Sequence, residues 1–450
     1  MTERLPPKAR QSYPGQFMTA LRRDELGFTA GMQRRYGDAV RYRVGPFKVT
    51  LLTHPDAIEQ VLVTKNHDFH KEPFYNLLRR VLGDGLITSE DDVHKRQRRL
   101  IQPLFHHTMI KEYGRTMVEY AARHRERLRD GETVDVHEEM MRLTLSIVGR
   151  TLFGGNVEDD ARVVADSVAT ILGMLDEFVL FLLLSYGGRY AERIERVPLP
   201  SLRRFREARD RLDAVVYRLI EERRRDGDGT DLVSRLLQAG DDGRGMSTKQ
   251  VRDEAMTLFL AGHETTAVAM TWTLYLLSRH PDVEEKLLAE LDEVLGERLP
   301  EPEDLQRLQY TRKVFAESMR LFPPVTGIGR QAVRDTQIAG FELPEGTIVA
   351  LSQWAVHRDP RWYLEPRRFD PERWEPDEEA KRPRYSYFPF GGGPRLCIGE
   401  PFAWMEGILL LATIMPEWRF QLAPDARVAL DPKITLRPKH GMRMIASRRA

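Results

Sequence analysis

The sequence predicts a mainly helical fold with a small, segregated β part. Three patterns lead there. Helical apolar spacing runs from about Val93 to Phe181 and recurs in long stretches between Leu202 and Leu321. Strand-like alternation is confined to residues 38–55, 327–352 and a short tail at 418–446. Finally, the helical stretch ending at Arg279 is apolar almost all round over Val268–Leu277, as a helix through the centre of a protein must be.

Taken in order, Val40–Leu52 alternates around Gly45-Pro46 and reads as a β-hairpin. His54-Pro55 opens a helix through Leu62. Residues 68–90, with Pro73, Gly83 and Gly85, read as irregular. Breaks in the next helical region fall at Gly114, Asp130-Gly131 and Gly154-Gly155. Phe178–Leu184 is the most apolar run, far short of the ~20 residues that span a membrane, and reads as a buried face or pocket wall. Leu202–Arg225 is a charged amphipathic helix stopped by Asp226-Gly227-Asp228-Gly229. A short helix at 232–237 and a polar loop, Gly240–Gly245, follow.

Ser247-Thr-Lys-Gln250 has the form of a capping box, and the helix it opens stops before Pro281. Helices follow at 282–295 and 310–321. Gly327–Ser352 reads as hairpins turning at Pro344-Glu345-Gly346. Residues 357–395, rich in Pro, Gly, Arg and aromatics without period, read as a functional meander. Ile398–Pro416 is helical again. The whole, 1–450, reads as one domain with its β lobe mainly at 38–55 and 327–352.

Composition narrows the function. Lys+Arg 69 against Asp+Glu 68 leaves a net charge of +1, so no whole-chain field attracts nucleic acid or an anionic membrane. The single cysteine, Cys397, excludes an internal disulfide, a four-cysteine zinc site and an iron–sulfur cluster. The N-terminal residues are polar, with no apolar signal region, and the expected location is cytoplasmic. No GxGxxG fingerprint follows a strand, so no flavin or nicotinamide module is built in.

The sharpest segment is Phe390-Gly391-Gly-Gly-Pro-Arg395-Leu-Cys397-Ile-Gly399. Its cysteine stands at a loop-to-helix junction two residues after an arginine, a setting that favours thiolate over thiol. This segment resembles the haem-binding signature of the cytochrome P-450 family at every specified position. Glu317-Ser-Met-Arg320 together with Arg373 matches the family's buried Glu–Arg–Arg cluster, a structural pin for the meander. Ala261-Gly262-His-Glu264-Thr265-Thr266, in the middle of the long helix, matches its acid–alcohol pair. Met32–Asp38 and Thr435–Gly441 look like further landmarks. Arg395, where soluble bacterial members often carry His, and the Phe402-Ala-x-x-Glu406 pattern resemble the branch that contains fatty-acid hydroxylases and microsomal enzymes.

The resemblance implies the cytochrome P-450 fold and a monooxygenase that inserts one atom of O2 into an apolar lipid, fatty acid, terpenoid or polyketide-like molecule. It implies haem b held through iron by Cys397, with Phe390, Gly391 and Ala261 against the ring and His94, Arg98, Arg330 and Arg395 at the propionates. Glu264 would relay protons from solvent, and Thr265 would handle dioxygen. Read by itself, Thr265 instead bonds its own i−4 carbonyl at Ala261. The small pair Ala261-Gly262 is expected to leave room for a flat ring. Wall candidates are Phe74–Leu78, Leu86-Ile87, Phe178, Phe181, Phe259, Val325 and Ile328. His106, His107 and His357 have no ligand spacing. Electrons from NAD(P)H are expected through a separate ferredoxin or flavodoxin and its reductase, docking near Lys95, Arg96 and Arg99. A peroxide-driven peroxygenase and a haem-thiolate sensor stay open as other readings.

Overall fold

The computed structural model describes residues 5–449 apart from 14, 155–159, 175–176, 178–179, 181–182, 186, 227–230, 239 and 242–243. Helices form most of it. The longest, Thr248–Arg279, begins with the expected capping box: Ser247 Oγ accepts the Gln250 N–H at 3.2 Å, and Gln250 Oε1 accepts the Ser247 N–H at 3.1 Å. Thirty-two residues give this central helix a length of about 48 Å. It is buried over most of its course. Its C-terminal half packs in a cluster with Met117, Ile147, Leu287 and Leu409, and its N-terminal half in a second with Phe153, Phe205 and Leu219. Trp272 stacks on Phe322 with ring centroids 4.4 Å apart and donates to Leu436 O at 2.7 Å.

The β lobe centres on a five-stranded sheet in the order Ala39–Val44, Phe47–Leu52, Ile348–Leu351, Ile328–Ala332, Phe69–Lys71. The first pair is the expected hairpin, with Ala39 opposite Leu52 and Val44 opposite Phe47. Ile348–Leu351 runs parallel to the second strand, and the other pairings are antiparallel. Thus the two segments read as β from sequence share one sheet.

Two expectations are corrected. Residues 68–90 are not irregular throughout: they hold the edge strand Phe69–Lys71 and a helix, Tyr75–Leu82, which buries Leu77, Val81 and Leu82. Gly114 does not break a helix. It lies inside His107–Arg127, where an added Cβ would come within 2.7 Å of Met405 Sδ and 2.8 Å of Pro302 Cγ. The glycine permits close approach of the helix Glu400–Ile414, which follows the cysteine loop. The stop at 226–229, most of the loop 240–245, Gly155 and much of the apolar run from Phe178 lie outside the described residues or side chains.

The meander is pinned as expected. Glu317 and Arg320, both fully buried on the helix Gln309–Leu321, bond through two contacts of 2.7 Å. Arg320 also donates to the carbonyls of His357, Pro366 and Arg368. Glu317 accepts from Asp370 N–H and Trp374 Nε1, and Arg373 lies 3.3 Å away. His357 is structural: its Nε2 accepts the Phe388 N–H at 3.0 Å.

Candidate active site

The cysteine loop is shaped by its backbone. Cys397 N–H donates to Phe390 O at 3.0 Å, and Leu396 N–H to Gly393 O at 3.0 Å. Gly393 has φ +65°, and an added Cβ would lie 1.9 Å from Leu62 O, so only glycine fits there. Gly391 also has positive φ, and Phe390 packs on Trp404 at 6.0 Å. The N–H groups of Gly399 and Glu400 bond toward the Cys397 sulfur at the start of the following helix.

The sulfur is reachable by solvent yet ringed by protein. That enclosure pushes its thiol up to about 11, outweighing the two N–H groups and Arg98. The helix start and Arg98 act toward the thiolate, as expected, and burial acts against it.

On the central helix, every residue from Val251 to Leu274 is buried except Leu260, Ala261, Gly262 and Thr265. An otherwise enclosed helix thus opens at one turn. Leu260 and Ile398, beside Cys397, adjoin the same hydrophobic cluster. Gly262 also serves the packing of the helices. Its missing Cβ lies 3.1 Å from Val148, so it allows helix–helix approach, and Ala261 and Thr265 carry the open turn. Thr265 Oγ1 donates to Ala261 O at 2.8 Å, the self-contained bond open to any helical threonine. Glu264 is buried and turned to the C-terminal strands. Burial pushes its carboxyl up, but Arg437, 2.7 Å away, and the Thr435 hydroxyl outweigh this and hold it below the usual range.

A cationic cluster joins the cysteine loop to the β lobe. Arg98 donates to Leu396 O at 2.8 Å. Arg395 donates to Ser89 O at 2.8 Å and pairs with Glu90. Arg330 is buried on the strand Ile328–Ala332 and bonds Gly329 O and Tyr75. Burial, with the charges of Arg395, Lys71 and Arg98, drives His94 down to about 3, so it is neutral. Lys71, which sequence reasoning missed, donates to Ile87 O and is pushed far down by burial and Arg395. It sits in the stretch read as irregular, where no periodicity drew notice. Arg437 was missed too, although the stretch Thr435–Gly441 stood out.

A haem fits these residues: one accessible sulfur, one bared helix turn that includes the small Ala261 and Gly262, and a cluster of partly buried cations in which Lys71 and Arg395 are lowered by burial and by their neighbours' charge. A cavity of about 1850 Å³ between β lobe and helical body is lined by Phe74, Tyr75, Leu78, Ile87, Val325 and Ile328. Leu77, Leu86 and Phe259 do not join them. They are core residues, and Phe259 packs edge-on to Phe153 at 5.4 Å. Phe178 and Phe181 lie outside the described residues.

The family model for cytochrome P450 matches residues 14–443. The chain belongs to the cytochrome P450 family. This P450 is 38% identical to cyclooctatin synthase of Streptomyces melanosporofaciens, over 92% of this chain and 89% of that one. It is 36% identical to cyclooctat-9-en-7-ol 5-monooxygenase of the same organism, over 90% and 87%. The crystal structure of the cytochrome P450DA heme domain superposes with a TM-score of 0.87 at 25% identity, covering 100% of this chain and 99% of that one. The P450 is an oxygen-incorporating oxidoreductase, and its family implies haem. Among the described residues no helix is long and apolar enough to cross a membrane.

Proposed function

We propose that this P450 hydroxylates or epoxidises an apolar terpenoid in the cytoplasm, with electrons from NAD(P)H delivered by a separate ferredoxin or flavodoxin. The reading is carried by the large, mainly apolar-walled cavity. Its walls favour a hydrocarbon skeleton, and the name of one close relative specifies an unsaturated alcohol acted on by a monooxygenase. When bound, the haem supplies a thiolate-ligated iron that activates dioxygen.

The chain's own residues do the rest. Cys397 would hold the metal as its thiolate, steadied by the N–H groups of Gly399 and Glu400. Arg98, Arg330 and Arg395, with neutral His94 beside them, would hold the propionates, and Phe390, Gly391 and Ala261 would lie against the ring. Thr265, whose hydroxyl donates to Ala261 O in this structure, would turn that donor toward the reacting oxygen. Glu264, held ionised by Arg437 and Thr435, draws protons inward from the partly exposed Arg437 side.

The test uses holoenzyme with a surrogate ferredoxin system and a cyclic terpene. The reduced protein with CO should show the strongly red-shifted Soret band of thiolate ligation, and an oxygenated product should form. Thr265→Ala should keep the substrate-induced Soret shift. Its product per NAD(P)H should fall severalfold and hydrogen peroxide should rise. Unchanged coupling would remove Thr265 from the reading; absence of the red-shifted band would remove Cys397.

A further inference from the structure

The cavity is not apolar throughout. Glu25 at the start of the helix Glu25–Tyr36, Tyr42 on the first strand and Glu72 just after the edge strand Phe69–Lys71 all line it. Neither carboxyl has a hydrogen bond or an ion pair to its side chain among the described residues. Tyr42 is only 7% exposed, and its ring is locked by Phe17 at 5.8 Å and Phe28 at 5.4 Å. Its hydroxyl likewise has no hydrogen-bond partner among the described residues. A hydroxyl that a mostly buried side chain presents in a cavity wall is open to a partner from the cavity.

The three groups sense one another. Surrounding protein and the nearby Glu72 push Glu25 up, although Glu25 keeps an exposed face, and partial burial pushes Glu72 up to about 7 against the pull of Arg330. Tyr42 is raised by burial and by both carboxyls. Arg330, whose charge reaches Glu72, is already bonded to Gly329 O and Tyr75. The Glu72 carboxyl rests on the backbone of Gly329, where an added Cβ would lie 1.9 Å from Oε1, one residue from the apolar wall at Ile328.

We infer that Glu25, Tyr42 and Glu72 form a polar subsite that binds the uncharged hydroxyl end of an otherwise apolar substrate and turns away carboxylates. The inference rests on the proposed terpenoid oxygenation and names the kind of substrate that reaction takes. A hydroxyl can donate to one carboxyl and accept from Tyr42 or from a protonated carboxyl. A carboxylate seated between Glu25 and Glu72 meets two acids, while Arg330, the cation that acts on Glu72, is already bonded, and like charges brought together repel.

The test is Soret-shift titration of holoenzyme with two chain-matched pairs, dodecan-1-ol against dodecanoate and farnesol against farnesoate. Each alcohol should bind about tenfold or more tighter than its acid. Glu25→Gln with Glu72→Gln should close that gap by strengthening acid binding, with melting temperature and CO spectrum unchanged. Tyr42→Phe should weaken the alcohols severalfold and leave the acids as they were. Discrimination in the dodecyl pair without farnesyl binding would uphold the subsite and overturn the terpenoid reading. Equal affinity within each pair, an unchanged gap in the double variant, or no shift with any of the four would overturn the subsite.

Discussion

Glu406 is the acid that the reaction does not use. It stands on the helix that follows the cysteine loop, fully buried, with both oxygens lacking a well-formed hydrogen bond. The Thr266 hydroxyl is close enough to favour its charge a little, yet burial pushes the carboxyl up to about 8 from the ordinary 4.5. A group with this shift keeps its proton in the folded chain and loses it readily in the unfolded one. Its contribution to stability therefore falls as pH rises from about 4.5 to about 8. Glu406→Gln keeps the shape and removes the titration. The melting temperature of the variant should gain on the native chain as pH goes from 5 to 8, and an equal offset at both ends would show that Glu406 is already ionised when folded. The sequence displayed this residue in the Phe402-Ala-x-x-Glu406 pattern but not its protonation, which depends on what surrounds it in space.

At the scale of elements, the sequence was most legible where one local rule decides. The capping box at Ser247, the stop at Pro281 and the alternation around Gly45 each report on near neighbours, and each held. It was least legible where tertiary packing decides. Tyr75–Leu82 is a two-turn helix between Pro73 and Gly83, too short for periodicity to stand out, and it is stabilised by burying Leu77, Val81 and Leu82. Gly114 has the look of a helix break, but the partner that requires a glycine lies about 290 residues further along the chain, at Met405 and Leu409. Gly262 is a similar case, with Val148 as the partner. Gly114→Ala measures the difference. The exchange gains up to ~1 kcal/mol of helix propensity, but a methyl forced against Met405 and Pro302 costs ~1–3 kcal/mol. A net loss of about 1–2 kcal/mol in urea unfolding is expected. A stabilised variant would mean that the two helices can separate at no cost.

At the scale of the molecule, the near-zero net charge hides an uneven surface. A depression of about 900 Å³ on the cysteine side is lined by Lys95, Arg98, Arg99, His106, Arg235 and Pro394 among others. Lys95 and Arg99 are exposed, whereas Arg96 is half-buried, so the outward charge is less continuous than the sequence implied. Arg235 comes from the helix Leu232–Gln238, a contribution that no local pattern announces. Under the proposed electron supply, an acidic carrier would dock on this face. Lys95→Glu with Arg99→Glu should slow reduction by an acidic ferredoxin severalfold at low ionic strength and flatten its salt dependence. Substrate-induced Soret shifts should not change. Reduction at the native rate would move docking elsewhere.

Arg395 ties these faces together. It leaves the cysteine loop and grips Ser89 and Glu90, while Lys71 grips the same strap at Ile87 and the central helix takes it by Asp253 at Asp84 and by Glu254 at Leu86. The strap forms part of the cavity wall. A guest against that wall and a carrier docked at the cationic face would thus share one strap. Thermodynamics makes the two effects equal: whatever factor the guest adds to the carrier's affinity, the carrier returns to the guest's. Any such factor is a single property of the strap, shared by both binding events.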